Sequence, residues 1–172
     1  ADIETGRTVW QSIGGQQLGS IWGHGALVAP DWSADWLHRE TLALLSQSSQ
    51  RQFGQPFKSL SAGDQAKLTA ELQPKLRSNT YDPATGVLTV SEDRALAMQE
   101  VAAHYETVFS EDPVGAALRE TYAMKDATVD TAEHRRQMSG FFFWTSWAAV
   151  TQRPGETVSY TNNWPYDPMA GN

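Results

Sequence analysis

The chain has 172 residues, 40% of them hydrophobic, and a formal net charge of -7. This length supports one well-buried core, so we expect a single domain over residues 1–172. The acidic balance leaves no basic surface for a phosphate backbone, so we expect no nucleic-acid partner. The absence of cysteine excludes disulfides, zinc-thiolate sites, iron-sulfur clusters and covalent haem attachment through a CxxCH motif.

The start of the chain and its longest apolar run indicate whether a leader or a membrane-spanning segment is present. The chain opens at Ala1 without a basic or apolar leader, so we interpret it as a soluble piece excised from a longer protein. The run over residues 140–150 is interrupted by Thr145 and Ser146. It is too short to span a bilayer, which takes about 20 residues.

The first thirty residues interleave glycine with tryptophan. We predict that this segment is not a regular helix throughout and that it winds tightly against the core. The residues behind this prediction are Gly14, Gly15, Gly19, Gly23, Gly25, Trp10, Trp22 and Trp32.

Two helices are predicted next. Ser33 is a suitable cap for a helix over about residues 34–48. Ser61, with Asp64 three positions later, predicts a second helix that reaches toward Arg77. We expect Pro74 to kink or shorten the last turn of that helix.

The second half of the chain predicts one hairpin and three further helices. Residues 80–90 pair a proline-containing turn with a β-branched run, which favours a small β-hairpin. Caps at Ser91, Asp112 and Thr131 predict helices that reach Phe109, about Lys125 and the apolar run over 140–150. The tail from residue 153 is predicted to be extended, so the fold class is mainly α with a short β-hairpin.

No catalytic or metal-binding motif stands out. The four histidines form no HxxxH, HExxH or HxH arrangement, and the serines and glycines form no GxSxG or nucleotide-binding loop. An independent hydrolase therefore lacks a nucleophile, base and orienting acid. We interpret His24, in the sequence WGHG, as structural or exposed rather than as a ligand.

The two ends of the chain carry a resemblance to a known family. Residues 9–40 read VWQSIGGQQLGSIWGHGALVAPDWSADWLHRE, and residues 141–168 read FFFWTSWAAVTQRPGETVSYTNNWPYDP. Both segments resemble the soluble domain of quinol-dependent nitric oxide reductases, which belong to the haem-copper oxidase superfamily. The resemblance implies a cytochrome c-like helical domain without haem.

The resemblance extends to the cytochrome c subunit of cytochrome-dependent nitric oxide reductases, in which a CxxCH motif precedes a GxGxxxAP-like stretch. Four residues supply that stretch here: Gly23, Gly25, Ala29 and Pro30. The two cysteines and the ligating histidine correspond approximately to Gly15, Leu18 and Gly19, so a vacated haem motif is implied. Because interiors are close-packed, we expect side chains to fill the haem volume, with Trp10, Trp22 and Phe142 as candidates.

The resemblance also implies a function for the whole protein. A quinol-dependent nitric oxide reductase reduces two NO to N2O and water with electrons from quinol, as in denitrification or NO detoxification. Its haem b, haem b3 and non-haem iron would be held by membrane helices outside this chain. We therefore expect no catalytic, cofactor-binding or metal residue here.

The expected role of the domain is structural, on the periplasmic side of the inner membrane. It would cover the membrane-embedded catalytic part of the same chain and could contribute to a homodimer. The docking candidates are Phe141, Trp144, Trp147 and Trp164, with burial in the domain's own core as the alternative for the apolar helix.

A binding module is the alternative function. In that interpretation the vacated pocket holds a small ligand or a noncovalent haem. The axial candidates would be His24 with Met98, Met124 or Met138.

Overall fold

A computed structural model describes residues 2–172. Within this range the chain forms six helices and a two-stranded antiparallel hairpin, which confirms the predicted fold class. The helices are α1 (Asp2–Ser12), α2 (Trp32–Phe53), α3 (Ala62–Arg77), α4 (Glu92–Phe109), α5 (Ala116–Thr121) and α6 (Ala132–Val150). The strands are β1 (Tyr81–Asp82) and β2 (Val87–Leu88), with Tyr81 opposite Leu88.

Three helices begin at the caps that the sequence predicts. The side chains of Ser61, Ser91 and Thr131 each accept a hydrogen bond from the backbone N–H three residues later, which satisfies one free donor of the first turn. Pro74 lies inside α3, which nevertheless continues to Arg77.

The beginning of α2 differs from the prediction. Asp31, not Ser33, is the cap, and its carboxylate accepts from the N–H of Ala34. The helix therefore starts at Trp32 and runs to Phe53, where Gly54 adopts a left-handed conformation with φ 64°. Gly permits this conformation without the clash that a Cβ would cause.

Two other segments also differ from the prediction. Asp112 caps only a short turn, and α5 ends at Thr121 rather than near Lys125. The tail is not simply extended, because it folds back so that the buried Asn172 side chain donates to the carbonyl oxygens of Ala149 and Pro165.

Helix α6 is central and packs against α1, α2 and α4. Two buried clusters surround it. The aromatic core includes Trp10, Trp32, Trp36, Tyr105, Phe109, Phe141, Phe142, Phe143 and Trp147. The aliphatic core includes Leu37, Leu44, Leu45, Leu68, Leu72, Leu76 and Val150. Among residues 2–172, no helix is both long and apolar enough to cross a membrane.

Candidate functional site

The segment in which the resemblance implies a vacated haem motif, residues 15–19, is covered by two indole rings. Trp32 Nε1 donates to the carbonyl oxygen of Leu18 at 2.9 Å, and Trp10 Nε1 donates to that of Gly19 at 3.3 Å. Gly19 has φ 108°, and a Cβ built on it would lie 2.5 Å from Trp32 Cε2. The Trp32 ring therefore occupies the space into which a side chain at position 19 would project.

Trp32 is held in this position by other aromatic rings. Its ring stacks on Phe142 with centroids 5.5 Å apart and an interplanar angle of 13°, and it meets Phe109 and Tyr122 edge-on. Such offset and edge-to-face pairs are favoured because ring faces and edges carry opposite partial charges. The buried Trp32 is thus a rigid part of the aromatic core.

The structure places only some of the predicted filling residues in this core. Trp10 and Phe142 are buried there, whereas Trp22 lies at the surface. The ring that covers Leu18 and Gly19 most closely, Trp32, is missing from the predicted set. Recognising Asp31 as the cap of α2 would have placed Trp32 at the first helical position, next to the glycine-rich segment.

The residues at the vacated motif do not fit a c-type haem. Covalent attachment needs two cysteines, and the iron needs an axial ligand, usually histidine. The corresponding residues are Gly15, Leu18 and Gly19, and a side chain at position 19 would collide with Trp32. Over residues 2–172, no group of three or more histidine, aspartate or glutamate side chains is arranged to hold a metal ion.

The candidate axial ligands of a noncovalent haem lie in different environments. The exposed His24 ring packs against Trp164, with centroids 4.9 Å apart. Met124 and Met138 are buried in the aromatic core, and Met98 is half-buried against it.

A buried carboxylate organises the loop that precedes α2. We call residues 20–31 the Asp31 loop. Asp31 Oδ2 accepts from Ser20 Oγ at 2.7 Å and from the Gly23 N–H at 2.6 Å. Its Oδ1 accepts from the Ala34 N–H at 2.9 Å and from Ser33 Oγ. A single buried side chain therefore ties the loop to the start of α2.

The outer side of this loop carries tryptophan rings. Trp22 has φ 52°, which is costly for a bulky residue, and is fixed by donation from Nε1 to the Thr145 carbonyl at 2.8 Å. Its ring lies 5.7 Å from that of Trp144, centroid to centroid. Trp164 Nε1 donates to the Gly23 carbonyl at 3.2 Å.

The four docking candidates divide into two pairs. Phe141 and Trp147 are buried in the domain's own core, which is the alternative that the sequence left open for α6. Trp144 and Trp164 remain partly exposed, at 38% and 40%.

Two groups of buried polar side chains join the helices. The Tyr105 hydroxyl and Arg39 Nε donate to Asp35 Oδ2 at 2.7 and 2.8 Å. Burial, followed by the charge of Asp35, raises the pKa of Tyr105 well above its usual value. Arg94 Nε donates to Glu40 Oε1 at 2.6 Å, which joins α4 to α2 inside the protein.

One cavity, of about 530 Å³, opens between α2, α4 and the turn at Phe57. Arg39, Phe57, Lys58 and His104 are among the residues that line it. Burial and then the charge of Arg39 lower the pKa of His104. None of the lining residues lies within residues 2–30, so this cavity is separate from the segment that Trp10 and Trp32 cover.

Comparison with known proteins agrees with the helical fold. The model of a family described as the cytochrome c-like domain of the nitric oxide reductase protein NorB matches residues 1–166. No curated protein matches the chain. Because the family match spans nearly all of the 172 residues, the chain belongs to the family of NorB cytochrome c-like domains of nitric oxide reductase.

Proposed function

We propose that the chain is the periplasmic domain of a quinol-dependent nitric oxide reductase and that its own role is structural. The observation that carries this proposal is the cover of Trp32 and Trp10 over Leu18 and Gly19. A cytochrome domain that relays electrons needs a haem at that place. With indole rings there instead, a diffusible quinol that delivers electrons directly to the membrane part is the donor that fits.

In the intact enzyme, two NO, two electrons and two protons give N2O and water. The haem b, haem b3 and non-haem iron implied by the resemblance supply the redox chemistry from the membrane part. This chain contributes a rigid cover over the outer face of that part. We assign the partly exposed Trp144 and Trp164 to the proposed membrane-facing side. Both lie beside the Asp31 loop, where the Trp144 ring contacts Trp22 and Trp164 Nε1 donates to the Gly23 carbonyl.

Nitric oxide consumption by membranes tests this proposal. The full-length parent is compared with a form in which a short linker replaces residues 1–172, using a quinol donor and, separately, reduced cytochrome c. We expect the full-length parent to consume NO with the quinol donor but not with reduced cytochrome c. We expect the deletion form to contain less assembled haem than the parent. Normal assembly with a raised quinol requirement would assign the domain to the quinol site instead, and absence of quinol-supported activity in the parent would overturn the proposal.

A surface variant tests the same role without removing the domain. W144A combined with W164A should lower the assembled haem content of the parent, because both rings lie on the proposed membrane-facing side. The control is V87A, which truncates a similarly exposed apolar residue on the hairpin. Equal haem content in both variants would contradict the assignment of this side.

A further inference from the structure

The Asp31 loop carries an apolar tip, formed by Leu27 and Val28, that projects from the domain. Leu27 is 99% exposed and Val28 is 49% exposed. The Ala26 N–H donates to the Ala29 carbonyl at 2.9 Å, which closes the turn beneath them. Leucine at this exposure in an ordered turn leaves nearly its whole side chain in water.

The rest of the loop holds the tip in this position. Besides the hydrogen bonds to Asp31, the Gly25 N–H donates to Ser20 Oγ at 2.7 Å, and the Ser20 N–H donates to the Pro30 carbonyl at 3.2 Å. At the base of the loop, the Trp32 N–H donates to the Ser20 carbonyl at 2.8 Å. These bonds fix the loop so that Leu27 does not fold back onto the core.

Aromatic rings flank the loop. Trp22, Trp144 and Trp164 are each more than one-third exposed and are linked to one another or to the loop by ring contacts and hydrogen bonds. The indole N–H groups of Trp22 and Trp164 are bonded to backbone carbonyls of the domain. The exposed parts of these two rings are therefore hydrocarbon edges.

The charge and size of this surface indicate its partner. Residues 20–30 contain no aspartate, glutamate, lysine or arginine, although the whole chain has a net charge of -7. A stable protein interface takes about 800 Å² and about 20–30 residues from each partner, far more than a loop tip and three ring edges. Protruding aliphatic side chains beside tryptophan are instead suited to the boundary between lipid headgroups and acyl chains.

We propose that Leu27 and Val28 insert into the bilayer interface at the edge of the catalytic part, with the exposed edge of Trp22 at headgroup level. Because Asp31 is buried and residues 20–30 lack acidic and basic side chains apart from His24, the tip suits zwitterionic phospholipid, and the contact should not depend on anionic lipid or on salt concentration. This proposal deepens the proposed function, on which it rests, because it requires the domain to lie next to the membrane.

A nitroxide at the loop tip tests the insertion. Residues 1–172 contain no cysteine, so L27C provides a single labelling position in the domain once cysteines elsewhere in the full-length parent are replaced. The labelled parent is reconstituted into phosphatidylcholine liposomes, and nitroxide accessibility is measured for oxygen, which enriches in lipid, and for a water-soluble nickel complex. V114C is the matched control, since Val114 is 82% exposed on the turn before α5.

We expect the label at Leu27 to be more accessible to oxygen than to nickel, and the label at Val114 to show the reverse order. V28C repeats the measurement in case L27C does not fold. Nickel access at both tip positions would show that the loop is in water and would overturn the proposal. Low access to both reagents would show a protein partner and would also overturn it. Quinol-dependent NO consumption by the same liposomes tests the proposed function separately.

Discussion

The aromatic core and the aliphatic core both use α2, α4 and α6, but they pack against different parts of the chain. The aromatic core adds α1 and the glycine-rich segment, whereas the aliphatic core adds α3 and Ala170 of the tail. The leucines of α3 recur at four-residue steps, as one helix face facing a core should. The aromatic core follows no such simple repeat, because its rings come from several helices and pack beside Leu18 and Gly19.

The aromatic core is the one that the proposed loss of haem concerns. Side chains replacing a large flat group must supply volume and stiffness together, since protein interiors tolerate few voids. Stacked and edge-on rings around Trp32 do this with few rotatable bonds. The aliphatic core has the ordinary leucine-rich composition of a helix bundle.

Truncation of Trp32 should give the largest loss of stability. W32A removes a buried ring with four aromatic neighbours and should lower the free energy of unfolding by about 3–5 kcal/mol. Urea denaturation followed by circular dichroism measures this loss. L76A in the aliphatic core is the comparison and should cost about 2–5 kcal/mol. A loss below about 1 kcal/mol for W32A would mean that the ring is not a packed part of the core.

Loss of the Glu40–Arg94 ion pair, which joins α2 to α4, should also strongly lower the free energy of unfolding. Glu40 and Arg94 are buried, so E40A leaves an unpaired charge inside the protein and should cost about 3–5 kcal/mol. D93A removes the partner of Arg51 in an exposed pair and should cost about 0–1 kcal/mol. Equal losses in urea denaturation would contradict the burial of the Glu40 pair.

A methyl group at Gly19 tests the contact with Trp32 itself. G19A should cost about 1–3 kcal/mol, because the new Cβ meets the indole ring and the backbone has φ 108°. G86A, with φ 70° and open space around its Cβ, gives the backbone contribution alone. In a W32A background the steric part of the G19A loss should disappear. An unchanged loss in that background would rule out Trp32 as its cause.

The smallest expected effect is a pH dependence of the free energy of unfolding that comes from Tyr105 in the aromatic core. The pKa of Tyr105 is raised in the folded state, so its contribution to stability is complete below about pH 10 and is lost as pH rises further. Y105F lacks the ionisable group and the hydrogen bond to Asp35, and should be about 1 kcal/mol less stable at neutral pH. The difference from the parent chain should narrow above about pH 10. A constant difference in urea denaturation across that range would contradict the raised pKa.

The parts of the fold that the sequence predicts are those decided locally. The caps Ser61, Ser91 and Thr131 and the hairpin depend on hydrogen bonds between residues close in the chain, so their positions follow from the pattern. Ser33 is a reasonable cap by the same rule. Asp31 takes its place because its carboxylate also binds Ser20 and Gly23, which only the folded chain brings near.

Helix α1 depends on packing that the sequence does not show. Gly6 indicates a weak helix by propensity, yet a Cβ there would lie 2.6 Å from the backbone carbonyl carbon of Gln137. The glycine allows α1 and α6 to approach closely, and this tertiary packing stabilises the helix. The position of Trp32 and the burial of Phe141 and Trp147 likewise depend on contacts between distant segments.

If tryptophan rings fill the place that haem would take in this fold, the 172-residue chain should not bind haem. To measure this, ferric haem is added to the parent chain and to H24A, and the Soret band is recorded against the spectrum of free haem. We expect no Soret shift in either protein. A saturable one-to-one shift in the parent chain that is lost in H24A would show that the domain binds haem noncovalently and that the rings do not fill its place.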